Sequence, residues 1–356
     1  MAQNKIVLKW LVEREKHATF FIGISQKCDI MVDWGDGQIE VFECDKFNSS
    51  HPRFNEYSRA CYTFDENQMN EISHSYDSDG GFQVTILVEN GDFISFANDQ
   101  QNHDKWVELD ITSAPDLVEL SCQFSSLKNL DLSKNTVLQF LYINFCSELS
   151  ELDVSHNIAL KKLICWSCDI NDLYLGQNID LEELDCHHNK LTNLDLGKNL
   201  QLKDIKCGDN LFNELDLSNN IELEELDVSG VHTQRMLEKL DISKNVALKK
   251  LYCPHQKLQK IDISKNIALE TLCCWDNQLE ELDVSKNVNL KFLACEENKL
   301  TSLNVTNNIE LSSLRCGNNQ LKTLDLSKSV NLIQIDCRGN EFKSLLELFT
   351  EIKYFF

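Results

Sequence analysis

The stretch Leu181-Glu182-Glu183-Leu184-Asp185-Cys186-His187-His188-Asn189-Lys190-Leu191-Thr192-Asn193-Leu194-Asp195-Leu196 decides the fold. Leu181, Leu184 and Cys186 alternate with polar residues, and so do Leu191, Leu194 and Leu196. Each half therefore reads as a short extended strand with its apolar side chains on one face. Only four or five residues separate the apolar clusters, too few for a helix of ordinary length. The pattern L-x-x-L-x-C-x-x-N-x-L-x-x-L-D-L-S-K-N-x-x recurs with a 21-residue period. Copies begin at Leu117, Leu138, Leu160, Leu181, Leu202, Leu223, Leu248, Leu269, Leu290 and Leu311, with a partial copy at Leu332 and a degenerate one near Phe93. Full burial of a large side chain is worth about 1.5–3 kcal/mol. A unit this small realises that gain only when neighbours cover both flanks, so the copies must stack.

The predicted architecture is a mainly β solenoid with two short parallel sheets, weakly curved because no helix crowds its outer side. Its spacing is about 4.8 Å per rung, or roughly 50 Å for eleven rungs. Asn recurs at the ninth position (Asn189, Asn210, Asn277, Asn298, Asn319, Asn340) and at the nineteenth (Asn135, Asn178, Asn199, Asn220, Asn245, Asn266, Asn287, Asn308). An Asn amide can donate to and accept from backbone groups freed at a turn, so two columns imply two corners per coil. After each first Leu the charges run Lys161-Lys162, Glu182-Glu183, Lys203-Asp204, Glu224-Glu225, Lys249-Lys250, Glu270-Thr271. In register, most neighbours pair opposite signs, each worth about 0.2–1 kcal/mol, which favours the correct register over a slip.

The repeat resembles the leucine-rich-repeat superfamily, specifically the short bacterial 21-residue class called IRREKO repeats. That resemblance implies a scaffold for protein–protein interaction. Residues 1–92 differ. Ile30-Met31-Val32-Asp33 runs into the turn Trp34-Gly35-Asp36-Gly37, followed by His74-Ser75-Tyr76 and Gly81-Phe82-Gln83-Val84-Thr85-Ile86. The set W-G-D-G … H-x-Y … G-F-x-V-T-I is similar to the polycystic-kidney-disease (PKD) type of immunoglobulin-like domain. This implies a small β-sandwich, a fold that usually serves as a spacer or adhesive module outside cells. The organisation expected is thus a PKD-like domain over 1–92 and a solenoid over 93–356. Within the solenoid, 93–116 is a capping coil, 117–331 regular repeats and 332–356 a cap closed by a short helix.

A formal charge of −23 argues against nucleic acid as a partner and against an anionic membrane surface. No apolar run approaches the roughly 20 residues of a bilayer span, so membrane insertion is not expected. The first ten residues lack the apolar stretch of a signal peptide, which points to the cytoplasm; a removed leader would place the chain at the surface or outside. Nine of the 15 cysteines (Cys122, Cys165, Cys186, Cys207, Cys253, Cys274, Cys295, Cys316, Cys337) share one inward position. They read as a ladder of buried free thiols, suited to a reducing compartment. Cys165-x-x-Cys168 has a metal-site spacing, but Cys168 falls on the ninth, Asn-column position, and no metal is expected there. Cys273, on an outward position, is the expected accessible thiol.

Asp131, Asp153, Asp195, Asp216, Asp241, Asp262, Asp283 and Asp325 form an outward column. A row of carboxylates could hold calcium, yet the Lys and Ser beside most of them explain it by pairing and solvation. No catalytic spacing or phosphate-cradling loop is present, so neither an enzyme nor a cofactor is expected. The alternative is a metal-dependent module or enzyme hidden in the N-terminal domain or the Asp column.

A protein partner is expected on outward positions of the Cys-bearing strands, where Trp and Tyr would be exposed. The candidates are Phe140, Tyr142, Phe145, Trp166, His187, His188, Tyr252, His255, Trp275 and Phe292, with Ile164 and Cys273 on the same face. The alternative is a surface adhesin or a glycan-binding module, since a glycan also stacks on aromatics. The expanded sixth unit, Ser229–Met236 with His232, is a second candidate, since insertions in repeats become loops at one edge.

Overall fold

The computed structural model describes residues 4–12, 17–46, 69–88, 90–98, 105–231 and 237–343. It divides into two compact units, Met1–Leu181 and Glu182–Phe356, and among the described residues every regular element is a β-strand. Eight longer strands come first: β1 (Asn4–Val12), β2 (His17–Ile24), β3 (Cys28–Asp33), β4 (Ile39–Cys44), β5 (Asn70–Ser75), β6 (Gly80–Val88), β7 (Phe93–Asn98) and β8 (Lys105–Ser113). Three-residue strands follow, one per repeat: β9 (Glu119–Ser121), β10 (Phe140–Tyr142), β11 (Lys162–Ile164), β12 (Glu183–Asp185), β13 (Asp204–Lys206), β14 (Glu225–Asp227), β15 (Lys250–Tyr252), β16 (Thr271–Cys273), β17 (Phe292–Ala294), β18 (Ser313–Arg315) and β19 (Gln334–Asp336).

In the first unit one antiparallel sheet has the order β4-β3-β6-β1-β8. A second begins β5-β2-β7, and β7 runs parallel to β9, with Ser95, Phe96 and Ala97 opposite Glu119, Leu120 and Ser121. β10 and β11 continue that parallel sheet. Phe20, Trp34, Phe96 and Trp106, all fully buried, link the two sheets through ring contacts of 5.0–5.8 Å. Residues 93–116, expected as a capping coil that joins the N-terminal domain, carry β7 and β8: β7 pairs with both β2 and β9, and β8 with β1. The pairings with β2 and β1 complete the antiparallel sheets past residue 92.

In the second unit β12 to β19 pair in parallel and in register. Leu184, Ile205, Leu226, Leu251, Leu272, Leu293 and Leu314 point inward with zero exposure, beside the Cys column. The predicted second sheet does not form among the described residues. The reason is local hydrogen bonding in each L-x-x-L-D-L half. The Asp carboxylate accepts the amide two residues on, as in Ser264 N to Asp262 Oδ1 at 2.9 Å. Two consecutive turns then close, Asn266 N to Ile263 O at 3.0 Å and Leu269 N to Asn266 O at 3.1 Å. These turns end the half at once, and Leu258 N at its start is taken by Asn277 Oδ1 at 3.0 Å, so little is left for a backbone ladder.

Both Asn columns are buried and bond between rungs. Asn298 Nδ2 donates to Cys274 O (3.0 Å) and Cys295 O (3.1 Å), while its Oδ1 accepts from Leu279 N (2.9 Å). Asn266 Nδ2 donates to Ile242 O (3.0 Å) and Asn245 O (2.8 Å). Lys203–Glu182, Lys249–Glu224, Lys250–Glu225 and Lys291–Glu270 pair between neighbouring rungs at 2.7–2.9 Å, as the charge alternation predicts. These are exposed pairs worth little individually. The expected C-terminal helix and the tip of the expanded unit, including His232, lie mostly outside the described residues.

Candidate functional site

The outer face of the short strands differs between the two units. In the first, the aromatics expected to be exposed are covered. Tyr142 and Ile164 have no exposure and Trp166 only 6%. They form one apolar cluster with half-buried Phe140 and Phe145 against it. Phe145 meets Trp166 edge-on at 4.2 Å and stacks on Phe124 at 4.5 Å. Side chains on adjacent rungs are close enough for rings to cover one another, so Tyr142 and Trp166 serve packing and are not an open surface. Beside them Glu119, Ser121, Gln123 and Asn144 are buried on the same face. Burial pushes the Glu119 carboxyl up to about 8, against a single opposing hydrogen bond from Ser95 Oγ at 3.2 Å.

In the second unit the face is more open. Tyr252, Trp275 and Phe292 are half-buried. His255 meets Trp275 edge-on at 4.1 Å and holds Asp276 through Nδ1 at 2.7 Å, and the Arg315 guanidinium lies 5.7 Å from the centroid of Phe292. Cys273, expected to be accessible, is buried; its register partners are Tyr252 and Ala294, and Trp275 follows two residues on. Trp275 stands in a column with Pro254, Glu296 and Gly317 and is half-buried there.

Acidic groups flank the aromatics. His187 pairs with Asp185 and His188 with Asp209. Burial pushes Asp204 up to about 7, partly offset by Lys206 at 3.6 Å, and burial likewise raises Asp227 and Glu296. Carboxylates held partly out of water in this way favour a cationic counterpart. His188 and His255 also have a backbone duty. Both sit two residues after a ladder Cys, at a corner where φ is 53° and 55°; Asp209, Asp276, Glu297 and Asn318 occupy equivalent left-handed positions. A cleft beside Gly208, Asp209, Phe212 and Gln256 has a volume of only about 10 Å³, far below the roughly 300–1,000 Å³ of small-molecule sites.

The Asp column is committed to the Asx turns: all eight carboxylates accept a backbone amide at 2.9–3.0 Å. Among the described residues no group of three or more His, Cys, Asp or Glu is arranged to hold a metal. No helix there is long and apolar enough to cross a membrane. One feature went unread in the sequence. Leu200, Ile221, Val246, Ile267, Val288 and Ile309, each following a buried Asn, are 47–58% exposed and form an apolar ridge along the turns. The recurring Asn-Ile/Val step carries that signal.

The N-terminal motifs converge on one cluster. Trp34 stacks on His74 at 4.6 Å, His74 Nε2 meets Asp36 Oδ2 at 2.9 Å, and Tyr76 OH donates to Trp34 O at 3.2 Å. Tyr76 in turn stacks on Phe82 at 4.1 Å. Burial raises the Asp36 carboxyl, but hydrogen bonds from His74 and the Gln38 amide outweigh it and leave the group below its ordinary value. This is a structural carboxylate.

The parallel rungs, Asn columns and inward thiols define a leucine-rich-repeat solenoid of bacterial type. Neither a protein-family model nor a curated protein sequence matches the chain. Among solved structures it is similar to the functional domain of InlJ from Listeria monocytogenes, which includes a cysteine ladder: identity is 29% and TM-score 0.60, covering 67% of this chain. The chain spans 57% of that structure. It is also similar to internalin InlF of the same organism (17% identity, TM-score 0.57, covering 73% of this chain and 85% of the other). A leucine-rich-repeat protein of Leptospira interrogans aligns at 19% identity and TM-score 0.53, covering 69% and 80% of the two chains. The last two likenesses concern the fold alone.

Proposed function

We propose that the chain is a non-enzymatic scaffold that binds a protein partner on the strand face of its second unit, around Tyr252, Trp275 and Phe292. The observation that carries this reading is the contrast between the faces. Tyr142 and Trp166 are packed away, whereas Trp275 is only half-buried, next to Glu296 on the neighbouring rung. Interfaces favour Trp, Tyr and Arg for their large, rigid contact area. The raised carboxyls of Asp204, Asp227 and Glu296 supply a place for basic groups of the partner. His187, His188 and His255 contribute at the rim. A glycan is the alternative ligand, supported by the same open Trp275 face.

The repeats are read as the 21-residue bacterial class, on their period and Asn and Cys columns. The N-terminal strands are read as a PKD-like, immunoglobulin-like module, a reading supported by the convergence of Trp34, Asp36, His74, Tyr76 and Phe82. A cytoplasmic or otherwise reducing location is supported by the free thiols.

The test is capture of partners from lysate and surface fractions of the native organism by the wild type and by Trp275→Ala. The variant should lose at least tenfold in capture with little change in thermal stability, while glycan-array binding decides the alternative. Equal capture by both proteins would remove the aromatic face as the binding surface. Trp166→Ala is unsuitable as a probe, because that ring is buried.

A further inference from the structure

We propose that Cys28 and Cys44 are a site of reversible disulfide bonding across the β3–β4 hairpin, a redox modification independent of the partner-binding face. The two residues are register partners at the open end of this antiparallel pair. At its other end, Trp34 N donates to Gln38 O at 3.1 Å. Stepping in twos from that bonded pair, through Val32–Glu40 and Ile30–Phe42, makes Cys28–Cys44 a hydrogen-bonded pair as well. Residues opposite one another in this way project to the same face, with Cα atoms about 5.5 Å apart. That separation lies within the range a disulfide spans, about 4.4–6.8 Å, and the Cβ atoms of such a pair need close by only about 1 Å to form the bond, a movement an edge strand accommodates. Both cysteines are free.

Access distinguishes this pair from every other described thiol. Cys28 is partly exposed, whereas all the other described cysteines are buried. The ladder thiols, 0–5% exposed, face the interior and offer an oxidant no approach. The sequence pointed to Cys273 as the accessible thiol; the structure moves that property to Cys28. Cys44 lies directly behind it, buried but opposite, where it can resolve a mixed disulfide. β4 is an edge strand, so a covalent staple there would fasten the outermost strand of the sheet to its neighbour.

The oxidant class is a low-molecular-weight disulfide such as oxidised glutathione. The Cys28 thiolate attacks one glutathione sulfur, forming a mixed disulfide and releasing one glutathione thiolate. The Cys44 thiolate then attacks Cys28 Sγ, forming the Cys28–Cys44 bond and expelling the second glutathione. The two cysteine protons end on the two released thiols. The protein loses two electrons and the glutathione disulfide gains them. Burial, with Cys28 next in effect, pushes the Cys44 thiol up to about 11, so the second step should quicken as pH rises.

The experiment incubates the native full-length chain with oxidised glutathione, quenches with an alkylating agent, and reads intact mass and a peptide map. The expected product has lost two alkylatable thiols, with one cross-link joining the peptides of Cys28 and Cys44. Cys44→Ser should instead accumulate a glutathione adduct on Cys28, and Cys28→Ser should react at neither position. If a variant fails to fold by circular dichroism, the wild-type map alone decides. A wild-type chain that remains fully reduced, stops at the Cys28 adduct, or forms its cross-link elsewhere would overturn the proposal.

Discussion

Replacing Glu119 with Gln should stabilise the first unit at neutral pH and leave it unchanged or weaker in acid. Glu119 lies on β9, with Ser95 of β7 and Phe140 of β10 as register partners, and only 2% of it is exposed. Ser95 Oγ donates to Oε2 at 3.2 Å, and Oε1 is buried without a partner. Burial pushes the carboxyl from an ordinary 4.5 up to about 8. Below pH 4.5 the folded and unfolded chains both carry the proton, and ionisation costs nothing. Between 4.5 and 8 the unfolded chain releases it while the folded chain keeps it, so stability falls as pH rises; above 8 the loss is complete. At about 1.4 kcal/mol per pH unit the full loss is on the order of 5 kcal/mol, and at pH 7 about 3 kcal/mol. Gln keeps the acceptor for Ser95 but adds a buried amide, at a cost of about 1 kcal/mol or more. The expected gain at pH 7 is therefore about 2 kcal/mol, shrinking to nothing or reversing near pH 4.5. Urea unfolding of both proteins across pH 4.5–8.5, with hydrogen exchange at Leu120 and Leu141 to localise the effect, measures this. A difference that does not vary with pH would refute the reasoning.

Asn298→Ala removes one donated and one accepted bond between rungs and the amide's bonds to Cys295 O and Glu296 O within its own rung, leaving buried backbone groups unpaired. It should cost roughly 2–4 kcal/mol, read as a lower denaturation midpoint, whereas Asp283→Ala at an exposed Asx turn should cost less than half as much. Gly35→Ala places a Cβ 2.5 Å from Gln83 O at a residue with φ +77°. The N-terminal sheet should then lose on the order of 2 kcal/mol or more, visible as a lower melting temperature, while Gly37→Ala, with nothing within 4 Å but a φ of +95°, should be milder.

The period, the inward Leu and Cys columns and the inter-rung charge pairs were legible because each repeats and depends only on neighbours one period away. Asn side chains such as Asn266 and Asn298 likewise find partners one rung off. The second sheet was misread for a local reason. L-x-x-L-D-L has the alternation of a strand, but its Asp accepts the amide two residues on and draws the chain into turns, an outcome that alternation cannot encode. The extent of the N-terminal sheets was misplaced because β7 and β8 find partners in β2 and β1, far away in the chain.

The candidate site was legible as a face and only partly as residues. Which outward aromatics stay open depends on what lies across them. Tyr142 and Trp166 close into a cluster with Phe140 and Phe145, while Trp275 stands between Pro254 and Glu296. The accessibility of a thiol has the same origin: Cys273 disappears between neighbours on adjoining rungs, and Cys28 emerges at the open end of a hairpin. Repetition in the chain was sufficient to determine how the rungs stack, because a short unit cannot bury leucine in any other way. The tertiary structure alone decided burial on the outer face, the raised pKa of Glu119 and the meeting of Cys28 with Cys44. Each of these depends on side chains brought together from positions that share no local pattern.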